Sequence, residues 1–175
     1  MEIERTKYSL DLPVSKKYYS NTGRIEVEHN TYNVHGEDYF KETYQMANYL
    51  DREFYYKGTP FDISGNMTDN SYKAFLFTET DYDHVNIEED NEKYDKAHNA
   101  QCVYGACHFS KLNITSEDYW KLNWIWIHPF FRHRGKIEDH WKYFEEKFGN
   151  FFIAKPISPE MKNFIKKSDK KHEIY

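Results

Sequence analysis

Cysteine is scarce in this chain. Two thiols in 175 residues, Cys102 and Cys107, leave no disulfide framework on which a small fold could depend. Long apolar runs are missing as well. None approaches the roughly 18 residues of a membrane helix, and the opening MEIERTKYSLDL lacks the apolar core of a secretory leader. These absences predict a soluble, cytoplasmic protein with free, buried thiols. Glycine and proline are few, 7 and 5, and nowhere cluster into a linker; no segment repeats. The simplest organisation is one domain over 1–175, whose ends at 1–36 and 168–175 the pattern defines least. Positive charge is not in excess either. A net charge of -5 argues against a general nucleic-acid binder, whose footprint is basic. The nucleophile elbow G-x-S-x-G and the phosphate loop G-x-x-x-x-G-K-[ST] are both absent.

What the chain has is aromatic side chains, 19% of its residues, with 16 Tyr and 13 Phe. A chain so rich in them folds around a core. GRIEVEH (23–29) alternates as a half-buried strand does. In 37–54, Phe40, Tyr44, Ala47, Leu50 and Phe54 fall at helical spacing. YKAFLFTE (72–79), CVYGACHFS (102–110) and LNWIWIH (122–128) read as strands, with SEDYW between the last two as a turn or short helix entry. The acidic stretch 79–99 reads as a solvated loop or a contact for a basic partner. Ile137, Trp141, Phe144 and Phe148 form one helix stripe that Gly149 ends. FFIAK (151–155) is a compact strand. Ser158, Pro159 and Glu160 open a final helix with Met161, Phe164 and Ile165 inward. The tail reads as basic, polar and mobile. The class is mixed α/β, with the last strand–helix–strand a parallel crossover.

His98, Cys102, Cys107 and His108 could suggest zinc, but they lack the close paired spacing of structural zinc sites. Strand alternation also sends the two cysteines to opposite faces, so no metal site is expected. Trp120, Trp124, Trp126 and Trp141 suit a core or cleft wall better than an aromatic cage.

The most informative stretch is WIWIHPFFRHRGKIEDHW, Trp124 to Trp141. A loop that feeds a helix N-terminus presents free backbone N–H groups, and the helix dipole adds to their pull on an anion. Gly135 lets a ligand come close to the backbone. Arg132, Arg134 and Lys136 add charge. The loop reads as a phosphate cradle or as an ordinary basic turn.

Residues 102–167 resemble the core of the GNAT acyltransferase family. There an apolar strand ends in Val/Ile-x-Pro, and Arg/Gln-x-x-Gly-x-Gly/Ala and a helix follow. Ile127, Pro129, Arg132 and Gly135 stand in that register. A strand and a helix come next in the family, matched by FFIAKPISPEMKNFIKK. The resemblance implies a mostly antiparallel twisted sheet with helices on both faces and a cleft between 122–128 and 151–155. It implies acetyl-CoA as co-substrate, with its pantetheine arm against Trp126 and Ile127. The pyrophosphate would lie on the amides of Arg132, His133, Arg134, Gly135, Lys136 and Ile137. The implied activity is transfer of an acetyl group to an unidentified amine, with proximity supplying much of the catalysis. A cationic acceptor would suit the acidic stretch. The oligomeric state stays open, a homodimer among the options.

The chain departs from the family at three places. Ile137 replaces the usual Gly or Ala. Glu138 and Asp139 put negative charge in the first helical turn. Ile165, beside Phe164, stands where members carry a proton-donating Tyr; Tyr119 and Tyr143 are the tyrosines that could replace it. His108 and His128 are the candidate general bases, their side chains titrating near neutral pH; His133 and His140 follow. These departures motivate the alternative, a catalytically inactive binding or protein-interaction module with the same fold.

Overall fold

Alternating aromatic and β-branched residues build long strands in this chain, and these pair side by side in one sheet. The computed structural model describes residues 14–15, 20, 22–27, 36–55, 71–80, 101–114, 117–167 and 172–175. In chain order these form β1 (Val14–Ser15), β2 (Arg24–Val27), α1 (Gly36–Phe54), β3 (Tyr72–Thr80), β4 (Gln101–Ile114), β5 (Glu117–Ile127), a 3-10 turn (Pro129–Phe131), α2 (Lys136–Phe148), β6 (Phe152–Ile153) and α3 (Pro159–Lys167). One sheet runs β2-β3-β4-β5-β6, and β1 pairs with β4. Among the described strands every pairing is antiparallel except β5 with β6.

Helices cover both faces, so the fold is mixed α/β with a mostly antiparallel sheet. On one face Met46, Ala47, Tyr49 and Leu50 of α1 pack on Val27, Leu76, Val103 and Trp126. On the other, α2 and α3 cover Phe75, Phe77, Phe109 and Ile153. The α2 stripe behaves as its spacing predicts. Trp141 and Phe144 are buried, and Phe148 lies 4.6 Å from the Phe109 ring. Each such aromatic contributes roughly 1.5–3 kcal/mol of transfer free energy. Gly149, at φ 67, ends the helix, and its amide donates to the Glu145 carbonyl. The Ser158 hydroxyl caps α3 by accepting from the Met161 amide at 3.1 Å.

Four expectations need correction. Residues 117–120 are strand, because β4 extends to Ile114 and offers Glu117–Trp120 a pairing partner. The compact strand at 151–155 reduces to Phe152–Ile153. The cysteines share a face: Tyr104 bulges out of the β3–β4 register, the alternation slips by one, and Cys102 and Cys107 both enter the α2 side of the core. The end of the tail is anchored. Tyr175 donates to the Ile153 carbonyl and accepts from the Lys155 amide, while His172 is buried. The acidic stretch beyond Thr80, His98, the end of the 23–29 strand and the tail at 168–171 lie outside the described residues.

Candidate functional site

The sheet opens between β5 and β6. The two strands pair only at Lys121 with Phe152 and Leu122 with Ile153. One further bond joins them, from the Ala154 amide to the Leu122 carbonyl at 2.9 Å. Asn123 then bulges from the β4–β5 register, and β5 runs on to Ile127 while β6 leaves it. The His128 amide donates to the Tyr104 carbonyl at 2.8 Å. By the two-residue period, the backbones of Trp124 and Trp126 therefore point to β4, and those of Ile125 and Ile127 to the open side. The edge that faces the wedge thus belongs to Ile125 and Ile127; Trp126 turns its backbone away from it.

A cleft of about 1380 Å³ fills the wedge. Its walls are β5 residues 121–127, loop residues 131–133 and 135–138, residues 153–158, and Met161, Phe164 and Lys167 of α3. It runs on past Asn123 to His108, Tyr72 and the end of α1.

The loop at its mouth turns through two left-handed residues. His133 and Gly135 both adopt left-handed conformations, φ 60 and φ 71. The Arg132 amide donates to the Pro129 carbonyl, and the Glu138 amide to Gly135. Between them, no described protein group accepts from the amides of His133, Arg134, Gly135, Lys136 or Ile137. Five N–H groups therefore gather at the positive end of α2.

The charged side chains around the loop are already engaged. Arg132 donates from Nη1 and Nη2 to the two Glu53 carboxylate oxygens, at 2.6 Å each, and from Nε to the Ile127 carbonyl at 2.7 Å. The Lys136 ammonium meets Glu79 at 2.9 Å. The Arg134 guanidinium lies 4.1 Å from the Phe130 ring centroid. Ile137 and Glu138 line the cleft.

The candidate bases differ in position. His108 is buried at the far end of the cleft, stacked on Tyr72 with ring centroids 5.7 Å apart. The Asn123 side-chain nitrogen approaches its Nδ1 at 3.1 Å, and Asn123 Oδ1 accepts from the Ser110 hydroxyl. Burial, and then the Lys121 charge, push its pKa down to about 4, so it is neutral at pH 7. His128 instead builds the turn, its Nδ1 accepting from the Phe130 amide at 3.2 Å; burial and Arg132 lower its pKa. His133 is exposed on the loop. His140 lies in the α2 layer with Nε2 2.7 Å from the Tyr104 hydroxyl, and burial, helped by Arg24 and Lys136, takes its pKa to about 3.

Neither Tyr119 nor Tyr143 reaches the cleft. Tyr119 donates to Glu117, and Tyr143 packs on Phe75 and Phe144. Tyr55 and Tyr72 line it instead, with Asn123 and Lys121. Sequence reasoning missed these four: Asn123 depends on a bulge, and the tyrosines come from elements far apart in the chain. Lys167 was within reach, since it follows Phe164 by three residues on the same helix face. Among the described residues no cluster could hold a metal ion, and no helix is long and apolar enough to cross a membrane.

No protein-family model matches the chain, and no curated protein matches it in sequence. Solved structures resemble its course. An aminoglycoside acetyltransferase from an uncultured soil metagenomic sample, solved with sisomicin, gives a TM-score of 0.49 at 12% identity, covering 87% of this chain and 91% of its own. Ribosomal-protein-alanine N-acetyltransferase from Brucella melitensis gives 0.43 at 15%, covering 78% and 91%. These values carry neither activity nor substrate over to this chain.

Proposed function

We propose that the cleft binds acetyl-CoA and that the protein transfers its acetyl group to an amine, as GNAT-family N-acetyltransferases do. The observation that carries this reading is the set of five unpartnered amides, His133 to Ile137, beside an open strand edge. A pyrophosphate needs convergent N–H donors near a helix N-terminus. An amide-bearing pantetheine arm needs strand backbone left unpaired, which Ile125 and the Ile127 amide offer, the Ile127 carbonyl being taken by Arg132. In the transfer, the amine nitrogen bonds to the thioester carbon and the carbon–sulfur bond breaks. The thiolate takes up a proton, and the substrate nitrogen loses one. Holding the two reactants in line supplies most of the acceleration. His108 is neutral and able to accept a proton, but its depressed pKa makes it a weak base, so solvent carries much of the proton traffic.

The alternative is a binding module without catalysis. Glu138 favours it, because its carboxylate lines the cleft beside the cradle and repels an anion. Calorimetric titration with acetyl-CoA, with CoA and ADP as controls, separates the two readings. The expected result is saturable binding of all three that Gly135→Glu abolishes. A folded protein that binds none of them has no coenzyme cradle, and the module reading takes its place.

A further inference from the structure

We propose that Glu53 is the positioning residue of the cradle, acting through Arg132 to hold the five amides in register. The inference rests on the coenzyme reading above and adds a residue that no loop motif contains. Glu53 sits in the last turn of α1, 79 positions before Arg132. Its carboxylate meets the guanidinium fork to fork, at 2.6 Å on both arms, and its Oε2 also accepts from the Trp126 indole N–H at 2.8 Å. The third guanidinium contact, Nε to the Ile127 carbonyl, grips the strand edge that borders the wedge. One carboxylate therefore joins α1, β5 and the first residue of the loop.

A bidentate pair fixes the plane of the guanidinium as well as its place, which a lysine cannot do. That matters because the two left-handed residues, His133 and Gly135, lie within three positions after Arg132. They aim the amides only if the chain enters the loop in one direction. With Arg132 so engaged, its contribution to an anion is geometric, and the amides do the binding. Leu50, Phe54 and Tyr55 on the same end of α1 line the cleft, so the wall at the far end of the cleft and the cradle share one support.

The test has arms that do and do not need coenzyme. Without ligand, the Trp126 indole N–H is followed by 1H–15N NMR and tryptic cleavage after Arg134 is timed. With ligand, acetyl-CoA affinity is measured by calorimetry. Glu53→Gln should shift the indole resonance, speed cleavage about tenfold and weaken acetyl-CoA about tenfold, as loss of a charge-assisted pair predicts. Arg132→Lys keeps the charge and loses the fork, and should do the same. The double variant should lie within about twofold of either single one, because both remove a single interaction. Cleavage and affinity at wild-type levels in a folded Glu53→Gln protein would overturn the proposal; if that variant does not fold, Arg132→Lys decides by the same two readouts. Should the wild type bind no acetyl-CoA, the coenzyme reading fails, and the cleavage rates still decide whether Glu53 holds the loop.

Discussion

A Cβ added at Gly105 would sit 2.6 Å from the Trp126 carbonyl oxygen and 3.2 Å from the Ile127 Cα. Both neighbours are backbone and cannot turn aside, so β4 and β5 would have to part beside the wedge. At Gly135 an added Cβ meets only the Glu138 carboxylate, at 3.9 Å, and the constraint is the positive φ alone. Gly135→Ala should cost about 1–2 kcal/mol through the left-handed backbone. Gly105→Ala should cost more, about 3 kcal/mol, the upper end for forced overpacking. Urea unfolding of both variants checks the order, and the reverse order would contradict the strand contact. Titration behaviour also belongs to single residues. Burial pushes His108 and His140 down to pKa values of about 4 and about 3 in the folded protein, from an ordinary value of 6.5. Below pH 6.5 the unfolded chain binds protons that the folded one refuses. The stability held above 6.5 is therefore lost as the pH falls toward 4 and then 3. Replacing His140 by Gln should flatten the fall in unfolding free energy between about pH 7 and pH 5; an unchanged slope would show that His140 contributes nothing to it.

At the scale of elements, β6 owes its place to both its neighbours. It is two residues long, too short to hold its position by ladder bonds to β5 alone. Its second support is the end of the chain. Ile153 donates to the Glu173 carbonyl and accepts from the Tyr175 amide. His172 anchors that segment, with Nδ1 3.0 Å from the Phe151 carbonyl and Nε2 3.0 Å from the Glu145 carboxylate. His172→Ala should destabilise the fold by about 2 kcal/mol, since it removes a buried ring together with its contacts to the Phe151 carbonyl and Glu145. Thermal unfolding reads this, and a shift within error would mean that the tail does not brace β6. The helices were legible because their apolar spacing matches the helical period, although the buried face of α1 is centred on Thr43, Met46 and Tyr49 and leaves Tyr44 of the predicted stripe exposed. The short β6 was not, because four apolar or small residues in a row, Phe151 to Ala154, state a strand without stating how long its partner stays beside it.

For the whole molecule, what matters is how the register of one strand pair opens another. The Asn123 bulge falls where β5 and β6 part, and the Tyr104 bulge on β4 lies opposite the end of β5. Neither has a mark in the sequence, because a bulge is defined by counting residues against a partner strand. The assignment of Trp126 to the wedge edge failed for this reason: facing depends on which residues bond across to β4. Arg132 shows the same limit. Its charge and its position before Gly135 are plain in the chain, yet its partner Glu53 lies in a helix that no local pattern links to the loop.

The amino-acid sequence by itself determined the class of the fold, the apolar stripes of the helices, and a glycine loop at the head of α2. These follow from local periodicity and backbone preference, which neighbouring residues settle among themselves. The tertiary structure alone decided which strand edge stays open, which of the histidines faces the cleft, and that Arg132 serves Glu53. Those outcomes depend on residues brought together from distant parts of the chain, by pairings whose free energy exists only once the sheet has formed.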